Sequence, residues 1–442
     1  MAEYTRPQSS EEFHQNFEQK KPLMNETEAY YESSRCLFCY DAPCVTACPT
    51  GIDIPLFIKQ IQTGNVTGSA KTIYDSNWFG NACGKVCPTK VLCEGACVYN
   101  YQDIKPIEIG RLQNFVTIKV IENNKTLYSP GPDNGKKVAI IGSGPAGISC
   151  ACELRTLGYK VDIFEAKDKP SGLTVHGTAP YKITNEEALA EMDYLQGQLG
   201  FQIYYNTPVS NAQQFEDIEQ KYDAIFLGVG LGPTADLGLP GDDKDNVIGA
   251  VEFVEALRMK EHQISVPDRV IVLGGGNTAM DAASESARMG ALEVTLAYRR
   301  SKDEMGAYGF EYDLAKNAGA KGLFNVQPIE ILGNGSVSGV KFIRTQSLTG
   351  QLQIIEGSEF IIECDMVIKA TGQAKMGNLF ALINGMELDR SKRIVVNPVT
   401  YQSTNLKYFA GGDAVNGGAE VVNGAHDGKA AAKGIQKWLF QV

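Results

Sequence analysis

Cysteines are the residues of this chain whose type and spacing most clearly suggest chemistry. Eight of the eleven lie within 62 residues, where they form two runs. The runs are Cys36-x2-Cys39-x4-Cys44-x3-Cys48, followed at once by Pro49, and Cys83-x3-Cys87-x5-Cys93-x3-Cys97. Soft thiolates at such density bind metal or form disulfides. The sequence therefore predicts a metal centre or a disulfide framework in this part of the chain.

Composition narrows the choice between metal and disulfide. A chain of 442 residues predicts two or three domains, and a net charge of −11 speaks against a nucleic-acid partner or an anionic membrane surface. No apolar run approaches the roughly 18 residues that cross a bilayer, and the polar N-terminus does not resemble a signal peptide. We therefore expect a cytoplasmic protein, in which structural disulfides are rare and thiols more often bind metal.

Three explanations of the cysteine runs compete: disulfides, structural zinc and iron–sulfur clusters. Structural zinc sites favour paired C-x2–4-C motifs, and these runs contain one C-x2-C. The spacing of the first run, which ends in Cys-Pro, is typical of bacterial ferredoxins, in which the fourth cysteine ligates the other cluster. On that pattern Cys36, Cys39 and Cys44 belong to one 4Fe–4S cluster. Cys48 belongs to a second cluster, and spacing alone does not assign the second run.

A glycine pattern downstream predicts a first dinucleotide site. Gly142-Ser-Gly144-Pro145-Ala146-Gly147 lies between a predicted strand at 137–141 and a helix that extends to 157. Glycines let the backbone approach a pyrophosphate, whose charge the helix N-terminus stabilises. Glu165 lies 23 residues after Gly142, at the end of the next predicted strand, and there it is expected to accept hydrogen bonds from ribose hydroxyls.

A second glycine pattern predicts a second dinucleotide site, in which basic residues replace the acid of the first site. Gly274-x-Gly276-x-x-Ala279, which includes Asn277 and Thr278, follows a predicted strand at 269–273. Ala297 occupies the position of the ribose-binding acid, and Arg299 and Arg300 follow it. With no acid at the ribose position, two guanidinium groups favour a 2′-phosphate, and so NADPH rather than NADH. The alternative is a solvated pair of surface arginines.

The elements that must position these motifs alternate between strand and helix. Helical apolar spacing predicts helices near 24–35, 53–62, 67–76, 109–122 and 421–440, and strands are predicted at 137–141, 160–164, 224–229 and 269–273. Alternation of this kind predicts parallel sheets and an α/β fold class. A Pro- and Gly-rich linker is expected at 129–135. The remaining cysteines, Cys150, Cys152 and Cys364, are expected to pack in the core.

The cysteine region closely resembles a known family. CLFCYDAPCVTACPTGIDIPLFIKQIQTGN, NACGKVCPTKVLCEGACVYN and IKPIEIGRLQNF resemble the N-terminal iron–sulfur domain of dihydropyrimidine dehydrogenase and the small subunit of its bacterial two-subunit form. The resemblance extends over nearly the whole chain. It implies two 4Fe–4S clusters, one held by Cys36, Cys39, Cys44 and Cys97 and the other by Cys48, Cys87, Cys93 and Gln113. It leaves Cys83 as a bystander, although ligand chemistry alone favours a thiolate over an amide oxygen.

The same resemblance assigns FAD to the first glycine pattern and the nicotinamide to the second. It also implies flavin contacts from a loop at Gly172 and Leu173, from Gly412 and Asp413, and from the start of the last helix at Val422. The expected FAD residues are Gly142, Gly144, Pro145, Ala146, Glu165, Gly172, Leu173, Gly412, Asp413 and Val422. The expected NADPH residues are Gly274, Gly276, Asn277, Thr278, Arg299 and Arg300.

The domain organisation follows from these assignments. A helical domain at 1–130 would bind the two clusters. Two Rossmann-like domains would follow, the FAD-binding domain at 131–240 and 366–442 and the NAD(P)H-binding domain at 241–365. The second is expected to be inserted in the first, because the C-terminal segments resemble flavin contacts.

The function implied is that of an electron-input subunit. Hydride would pass from NADPH to FAD, and single electrons would pass through the clusters to an FMN-containing catalytic partner that reduces uracil or thymine in a hetero-oligomer. A first alternative is the small (NADPH) subunit of glutamate synthase, in which we expect an acid in place of Gln113. A second is a cluster-bearing scaffold or sensor without turnover, which the two intact nucleotide patterns disfavour. Neither nucleic acid nor membrane is an expected partner.

Overall fold

The computed structural model describes residues 4–348 and 351–440, which form two compact units. The smaller unit contains the described residues up to Glu18, Ala179–Tyr181 and Gly232–Ala374. The larger unit contains Gln19–Thr178, Lys182–Leu231 and the described residues from Lys375 onward. Among the helices of these residues, none is long and apolar enough to cross a membrane.

The helices and strands confirm the predicted alternation. The α-helices are Ser10–Asn16 (α1), Glu26–Ser34 (α2), Pro43–Thr46 (α3), Ile54–Gln62 (α4), Val66–Ser76 (α5), Gly80–Val86 (α6), Ile109–Glu122 (α7), Pro145–Thr156 (α8), Leu173–His176 (α9), Asn185–Leu199 (α10), Ala212–Lys221 (α11), Ala250–Lys260 (α12), Asn277–Arg288 (α13), Gly309–Asn317 (α14), Gly377–Phe380 (α15), Asp413–Asn416 (α16) and Val421–Leu439 (α17). The β-strands are Lys137–Ile141 (β1), Lys160–Phe164 (β2), Gln202–Tyr204 (β3), Ala224–Leu227 (β4), Val247–Gly249 (β5), Arg269–Leu273 (β6), Glu293–Tyr298 (β7), Lys321–Phe324 (β8), Val326–Leu332 (β9), Gly339–Leu348 (β10), Gln351–Ile354 (β11), Phe360–Glu363 (β12), Met366–Lys369 (β13) and Tyr408–Ala410 (β14). Helix α7 and strands β1, β2 and β6 have the predicted bounds.

The cysteine region is helical, as predicted, and its helices have local reasons to form. Asn25 caps α2 through a reciprocal capping box with Glu28, and Asp53 caps α4 by accepting from the Leu56 N–H. Helix α4 buries one apolar face, which includes Phe57 and Ile58. Helix α7 is buried along most of its length, so it forms the core against which the shorter helices of this region pack.

The larger unit also contains a five-stranded parallel sheet with the order β14-β4-β1-β2-β3. The first glycine pattern follows β1 directly and leads into α8. The last helix, α17, packs closely on α8, where a Cβ at Gly428 would overlap the carbonyl oxygen of Ala146. The glycine at this position therefore allows the C-terminal helix to lie beside the glycine pattern.

The smaller unit contains a second parallel sheet, with the order β5-β13-β6-β7-β8, and the second glycine pattern follows β6. A four-stranded antiparallel sheet of β9 to β12, which the sequence analysis did not predict, belongs to the same unit. Phe13 and Phe17 pack in the apolar core of this unit. The described residues up to Glu18 therefore group with the smaller unit, whereas the predicted helical domain at 1–130 included them. The domain boundaries and the inserted arrangement remain predictions.

Candidate cluster and nucleotide sites

A first cavity in the larger unit brings together four of the eight clustered cysteines. Its lining includes Cys36, Cys39, Cys44 and Cys97, surrounded mainly by apolar side chains such as Ile58. Cys36 and Cys39 come from the loop before α3 and Cys44 from α3 itself, whereas Cys97 comes from the end of the second run. Burial raises the pKa of Cys44 to about 12, so these surroundings disfavour a free thiolate. A bound metal would compensate that cost, because its positive charge deprotonates a ligating thiol.

A second cavity contains the other four clustered cysteines and two amide side chains, those of Asn77 and Gln113. It is lined by Cys48, Cys83, Cys87, Cys93 and Gln113, among others. The Gln113 Nε2 donates a hydrogen bond of 2.6 Å to the carbonyl oxygen of Gly80. This bond orients the amide. Its Oε1 is then the atom that could ligate a metal. The four residues predicted to ligate the second cluster, Cys48, Cys87, Cys93 and Gln113, therefore line one cavity, and their role as ligands remains a prediction.

Cys83 lines this cavity, although it was expected to be a bystander. It lies in α6, is 3% exposed and lines the second cavity together with the predicted ligands. Its carbonyl oxygen accepts from the backbone N–H of Cys87 at 3.1 Å, one helical turn further along the chain. The sequence indicated Cys83 through its place in the second run, but its hydrogen bond with Cys87 depends on α6, which contains Cys83 and ends at Val86.

The donors of both cavities fit iron–sulfur clusters. Across residues 4–348 and 351–440, no three His, Cys, Asp or Glu side chains converge closely enough to hold a single metal ion. The cavities instead measure about 400 and 370 Å³, with open solvent space included. A four-iron cluster binds each of its protein ligands at a different iron and takes mainly thiolates, so donors spaced around a cavity match it.

The first glycine pattern has the geometry of a phosphate-binding turn. Gly142 has φ +96°, and a Cβ there would lie 2.6 Å from the carbonyl oxygen of Gly228. A Cβ at Gly144, in contrast, would have its nearest neighbour at 3.9 Å, on Gly172. The backbone at Gly144 is therefore open to a ligand in front of α8, which begins with Pro145 and Ala146. Gly172 comes from the predicted flavin loop and immediately precedes Leu173, the first residue of α9.

Glu165 lies at the end of β2 and is 8% exposed. Its Oε2 accepts from the backbone N–H and the hydroxyl of Ser143 at 2.8 and 2.6 Å, and its Oε1 accepts from the Lys167 N–H at 2.8 Å. The carboxylate is therefore fixed beside the glycine turn. Each of its oxygens has further lone pairs with which it could accept from a ribose, and this role remains a prediction.

The C-terminal part of the larger unit contains the remaining residues that were predicted to contact a flavin. The Asp413 Oδ1 accepts from the Ala419 N–H at 3.0 Å, and burial raises the pKa of this carboxyl. Val422, in the first turn of α17, also lines the second cavity. The element expected to face the flavin therefore forms a wall of a cysteine cavity as well.

Asp427 is a residue of this region that the sequence analysis missed. Its Oδ2 accepts from the Gly412 N–H at 2.9 Å, and its Oδ1 accepts from the Tyr401 hydroxyl at 2.9 Å. It holds the loop that leads into Asp413, because two separate segments are hydrogen-bonded to one carboxylate. The available indication was an acidic residue on a helix face that otherwise consists mainly of alanine and glycine.

The second glycine pattern repeats this geometry in the smaller unit. Gly274 donates to the carbonyl oxygen of Ala297 at 3.0 Å, and a Cβ at Gly274 would overlap the carbonyl oxygen of Ala370. At Gly276 a Cβ would meet nothing within 4 Å, so the backbone there is open to a ligand. Asn277 and Thr278 begin α13, and the Asn277 Oδ1 accepts from the Tyr308 N–H at 3.0 Å.

Arg299 and Arg300 follow β7, which is parallel to β6, so they lie at the same edge of the second parallel sheet as the second glycine pattern. Their backbone is fixed, since the Arg299 carbonyl accepts from the Thr345 hydroxyl at 2.7 Å and the Arg300 carbonyl accepts from the Asn325 N–H at 3.1 Å. Arg299 is exposed and Arg300 is half-buried. The Arg300 Nε is buried and makes no hydrogen bond to any residue that the structure describes. A buried donor of this kind fits a phosphate oxygen.

Two family models match the chain. One, described as pyridine nucleotide-disulphide oxidoreductase, matches residues 136–428. The other, described as dihydropyrimidine dehydrogenase domain II, 4Fe-4S cluster, matches residues 13–125. The two matches correspond to the nucleotide-binding and cysteine-rich parts of the chain.

Similar proteins include two from Escherichia coli (strain K12). The glutamate synthase [NADPH] small chain is 36% identical over 437 residues, which cover 94% of this chain and 92% of that protein. The NAD-dependent dihydropyrimidine dehydrogenase subunit PreT is 34% identical over 418 residues, which cover 95% and 96%. The solved structure of Mycobacterium tuberculosis FprA in complex with NADPH shares the fold with a TM-score of 0.58 and 18% identity, over 70% of this chain and 85% of that one.

These matches confirm the resemblance and the oxidoreductase class, and the two relatives are too close in identity to separate their roles. The chain belongs to the pyridine nucleotide-disulphide oxidoreductase family, as a flavin-dependent enzyme with an iron–sulfur domain that is related to both the glutamate synthase small chain and the dihydropyrimidine dehydrogenase subunit.

Proposed function

We propose that this chain is the electron-input subunit of an NADPH-dependent dihydropyrimidine dehydrogenase. It would bind NADPH, FAD and two 4Fe–4S clusters and supply electrons to an FMN-containing catalytic subunit that reduces uracil or thymine. Bound FAD would supply the chemistry that accepts two electrons as a hydride and releases them one at a time. The observation that carries the choice of partner is the amide of Gln113 in the second cavity.

The Gln113 amide distinguishes the two roles because an acid is expected there in a glutamate synthase small subunit. The amide is buried, and its nitrogen is bonded to Gly80, so its oxygen is the atom available to an iron. A neutral, hard oxygen changes the charge and potential of a cluster relative to a thiolate or a carboxylate. The pyrimidine family is the one in which a glutamine ligand is expected.

Within the larger unit, the second cavity lies between the first glycine pattern and the first cavity. Val422, at the start of α17, lines the second cavity, and Gly424 of the same turn lies against Pro145 of the first glycine pattern. Ile54 lines both cavities, so the two are neighbours. Tyr40, which follows Cys39, is fully exposed. This order supports a route from the flavin site through the second cavity to the first, and from there to the surface.

The nucleotide-binding residues have separate roles in this proposal. Gly142 and Gly144 would let the backbone approach the FAD pyrophosphate, while Glu165 would hold its ribose. Gly274 and Gly276 would do the same for the nicotinamide cofactor, whose 2′-phosphate would bind Arg299 and Arg300. These assignments predict a preference for NADPH.

A second candidate, the small subunit of glutamate synthase, is favoured by the two arginines. They predict NADPH, which is the coenzyme in the name of the glutamate synthase relative, whereas the name of PreT specifies NAD. The cofactors and the residues that bind them would have the same roles in both candidates. The two candidates differ in the partner to which the electrons are supplied.

The deciding experiment measures NADPH oxidation by the anaerobically purified chain with and without each partner. The chain alone should reduce an artificial acceptor such as ferricyanide and leave uracil unchanged. With an FMN-bearing dihydropyrimidine dehydrogenase subunit, uracil should accelerate NADPH oxidation. Acceleration by 2-oxoglutarate and glutamine with a glutamate synthase large subunit, and not by uracil, would establish the second candidate. Uracil turnover by the chain alone would overturn the proposed division of labour.

A further inference from the structure

Two buried amide side chains line the second cavity, and they are anchored through opposite atoms. The Gln113 Nε2 donates to the Gly80 carbonyl oxygen, so the oxygen of that amide is the atom that could ligate iron. The Asn77 Oδ1 instead accepts from the Phe79 N–H at 2.9 Å. This bond fixes which way the Asn77 amide is turned, because Nδ2 in the same place would set a donor against a donor. The end of Asn77 that remains for another partner is its amino group.

The Asn77 amino group is a buried hydrogen-bond donor. Asn77 is 1% exposed and lines the second cavity. Its Nδ2 makes no hydrogen bond to any residue that the structure describes, the cysteines of the same cavity included. The lone pair of an amide nitrogen is delocalised into the carbonyl group, so Nδ2 acts as a donor and not as an iron ligand. Since buried polar groups in folded proteins are normally hydrogen-bonded, this donor requires an acceptor within the cavity.

The turn between α5 and α6 fixes the position of this donor. The Asn77 N–H donates to the Ile73 carbonyl oxygen at 2.8 Å and closes α5. Phe79, to which the Asn77 side chain is bonded, immediately precedes α6, and α6 leads to Cys87. Backbone groups therefore hold Asn77 from both sides. A donor that is already immobilised loses little conformational freedom when it meets its acceptor.

An iron–sulfur cluster would supply an acceptor of the required kind. It carries inorganic sulfides between its irons, and hydrogen bonds to the sulfurs of a cluster help to set its reduction potential. Reduction makes the cluster more negative, and a donor bonds more strongly to an acceptor that carries more negative charge. A hydrogen bond to a sulfide therefore favours the reduced cluster and raises its reduction potential.

We propose that the Asn77 Nδ2 donates a hydrogen bond to an inorganic sulfide of the second cluster and raises the reduction potential of that cluster. This role rests on the proposed function, because it requires a cluster in the second cavity. It concerns an amide outside the predicted ligand set. The two amides of the cavity then have complementary roles, since Gln113 acts through its oxygen and Asn77 through its nitrogen.

The test is a redox titration of the anaerobically purified protein, monitored by electron paramagnetic resonance, for the wild type, Asn77→Leu and Asn77→Asp. Leucine is close to asparagine in size and has no donor. Aspartate keeps an oxygen that can accept from the Phe79 N–H but replaces the donor with a charged oxygen. Asn77→Leu should keep the full iron content and lower the midpoint potential of one cluster only. A change of roughly tenfold in the reduction equilibrium, typical of one hydrogen bond, corresponds to about 59 mV for a one-electron couple.

Asn77→Asp should lower the same potential further, because it adds negative charge beside the cluster. Ser149→Ala is the matched control. Ser149 is fully buried in α8, its Oγ has no hydrogen-bond partner among the described residues, and it lines neither cavity. Its replacement removes a buried polar atom away from the clusters, so both potentials should stay at their wild-type values. If Asn77→Leu does not fold, Asn77→Ala, which also lacks a donor, takes its place.

The outcomes separate the role of Asn77 from the proposed function. An unchanged potential in the variant without a donor would overturn this role. A lowered potential in Asn77→Leu with an unchanged one in Asn77→Asp would overturn it too, because the bond to Phe79 alone would then be responsible. Loss of about four irons in Asn77→Leu would show that Asn77 holds the cluster and does not tune it. A wild-type protein that lacks about eight irons would instead show that the cluster assignment itself is wrong.

Discussion

Removal of the Arg300 guanidinium should selectively weaken NADPH binding. The buried Nε of this side chain makes no hydrogen bond to any described residue, so a 2′-phosphate would meet a donor that is already partly desolvated. Hydrogen bonds to charged groups contribute about 1.5–3 kcal/mol, which corresponds to roughly a 10- to 150-fold change in affinity. We therefore expect Arg300→Ala to raise the KM for NADPH towards the upper part of that range.

Arg299 should contribute less, because it is exposed and its interaction with a phosphate is screened by solvent and salt. Arg299→Ala should raise the KM for NADPH by about tenfold or less. The KM for NADH should change little in either variant, because NADH has no 2′-phosphate.

The assay is steady-state reduction of ferricyanide by the anaerobic holoenzyme with either nicotinamide. Arg390→Ala is a suitable control, because this exposed arginine lies outside both nucleotide patterns. Added salt should raise the KM of the wild type for NADPH and have a smaller effect on the double variant of Arg299 and Arg300. Equal changes in KM for NADPH and NADH would refute the assignment of the arginines to a phosphate.

Three further predictions concern the clusters and the stability of the fold. Anaerobically purified protein should contain about eight irons, and Cys36→Ser, unlike Cys150→Ala, should lose four of them and destabilise the cysteine-rich region, because cluster binding and folding are coupled; stoichiometric zinc without acid-labile sulfide would contradict this. Gly428→Ala should lower the free energy of unfolding by about 1–3 kcal/mol through overlap with α8, whereas Gly197→Ala, which has nothing within 4 Å in α10, should be neutral or stabilising in thermal denaturation. Burial raises the pKa of Glu191 from 4.5 to about 7, so the folded state disfavours its charged form. Stability should consequently fall by about 2 kcal/mol as the pH rises from about 5 to 7, and Glu191→Gln should abolish this fall in urea unfolding; an unchanged slope in the variant would show that another group is responsible.

Local sequence determined much of the nucleotide-binding architecture. Strands β1, β2 and β6 have the predicted bounds because each is a short apolar run that ends at a glycine pattern or an acid. Helix α7 was equally predictable from its continuous apolar spacing. The antiparallel sheet of β9 to β12 was missed, because its strands carry mixed exposed and buried residues, and β9 contains Pro328, which interrupts the strand pattern.

The tertiary structure decided how distant residues meet. Spacing alone relates Cys36, Cys39 and Cys44, but Cys97 reaches the same cavity only because the chain returns to it 53 residues after Cys44. Gln113 reaches the second cavity from the middle of α7, where helical periodicity predicts only packing.

The contacts of single side chains depended on folding in the same way. The sequence places Cys83 near Cys87, but only a helix that ends between them turns that spacing into a backbone hydrogen bond beside a cavity. Phe13 and Phe17 lie early in the chain but pack in the core of the smaller unit. Motifs whose geometry depends only on residues close together in the sequence can therefore be predicted from the sequence. The composition of a site assembled from separate segments depends on long-range packing, which no local pattern encodes.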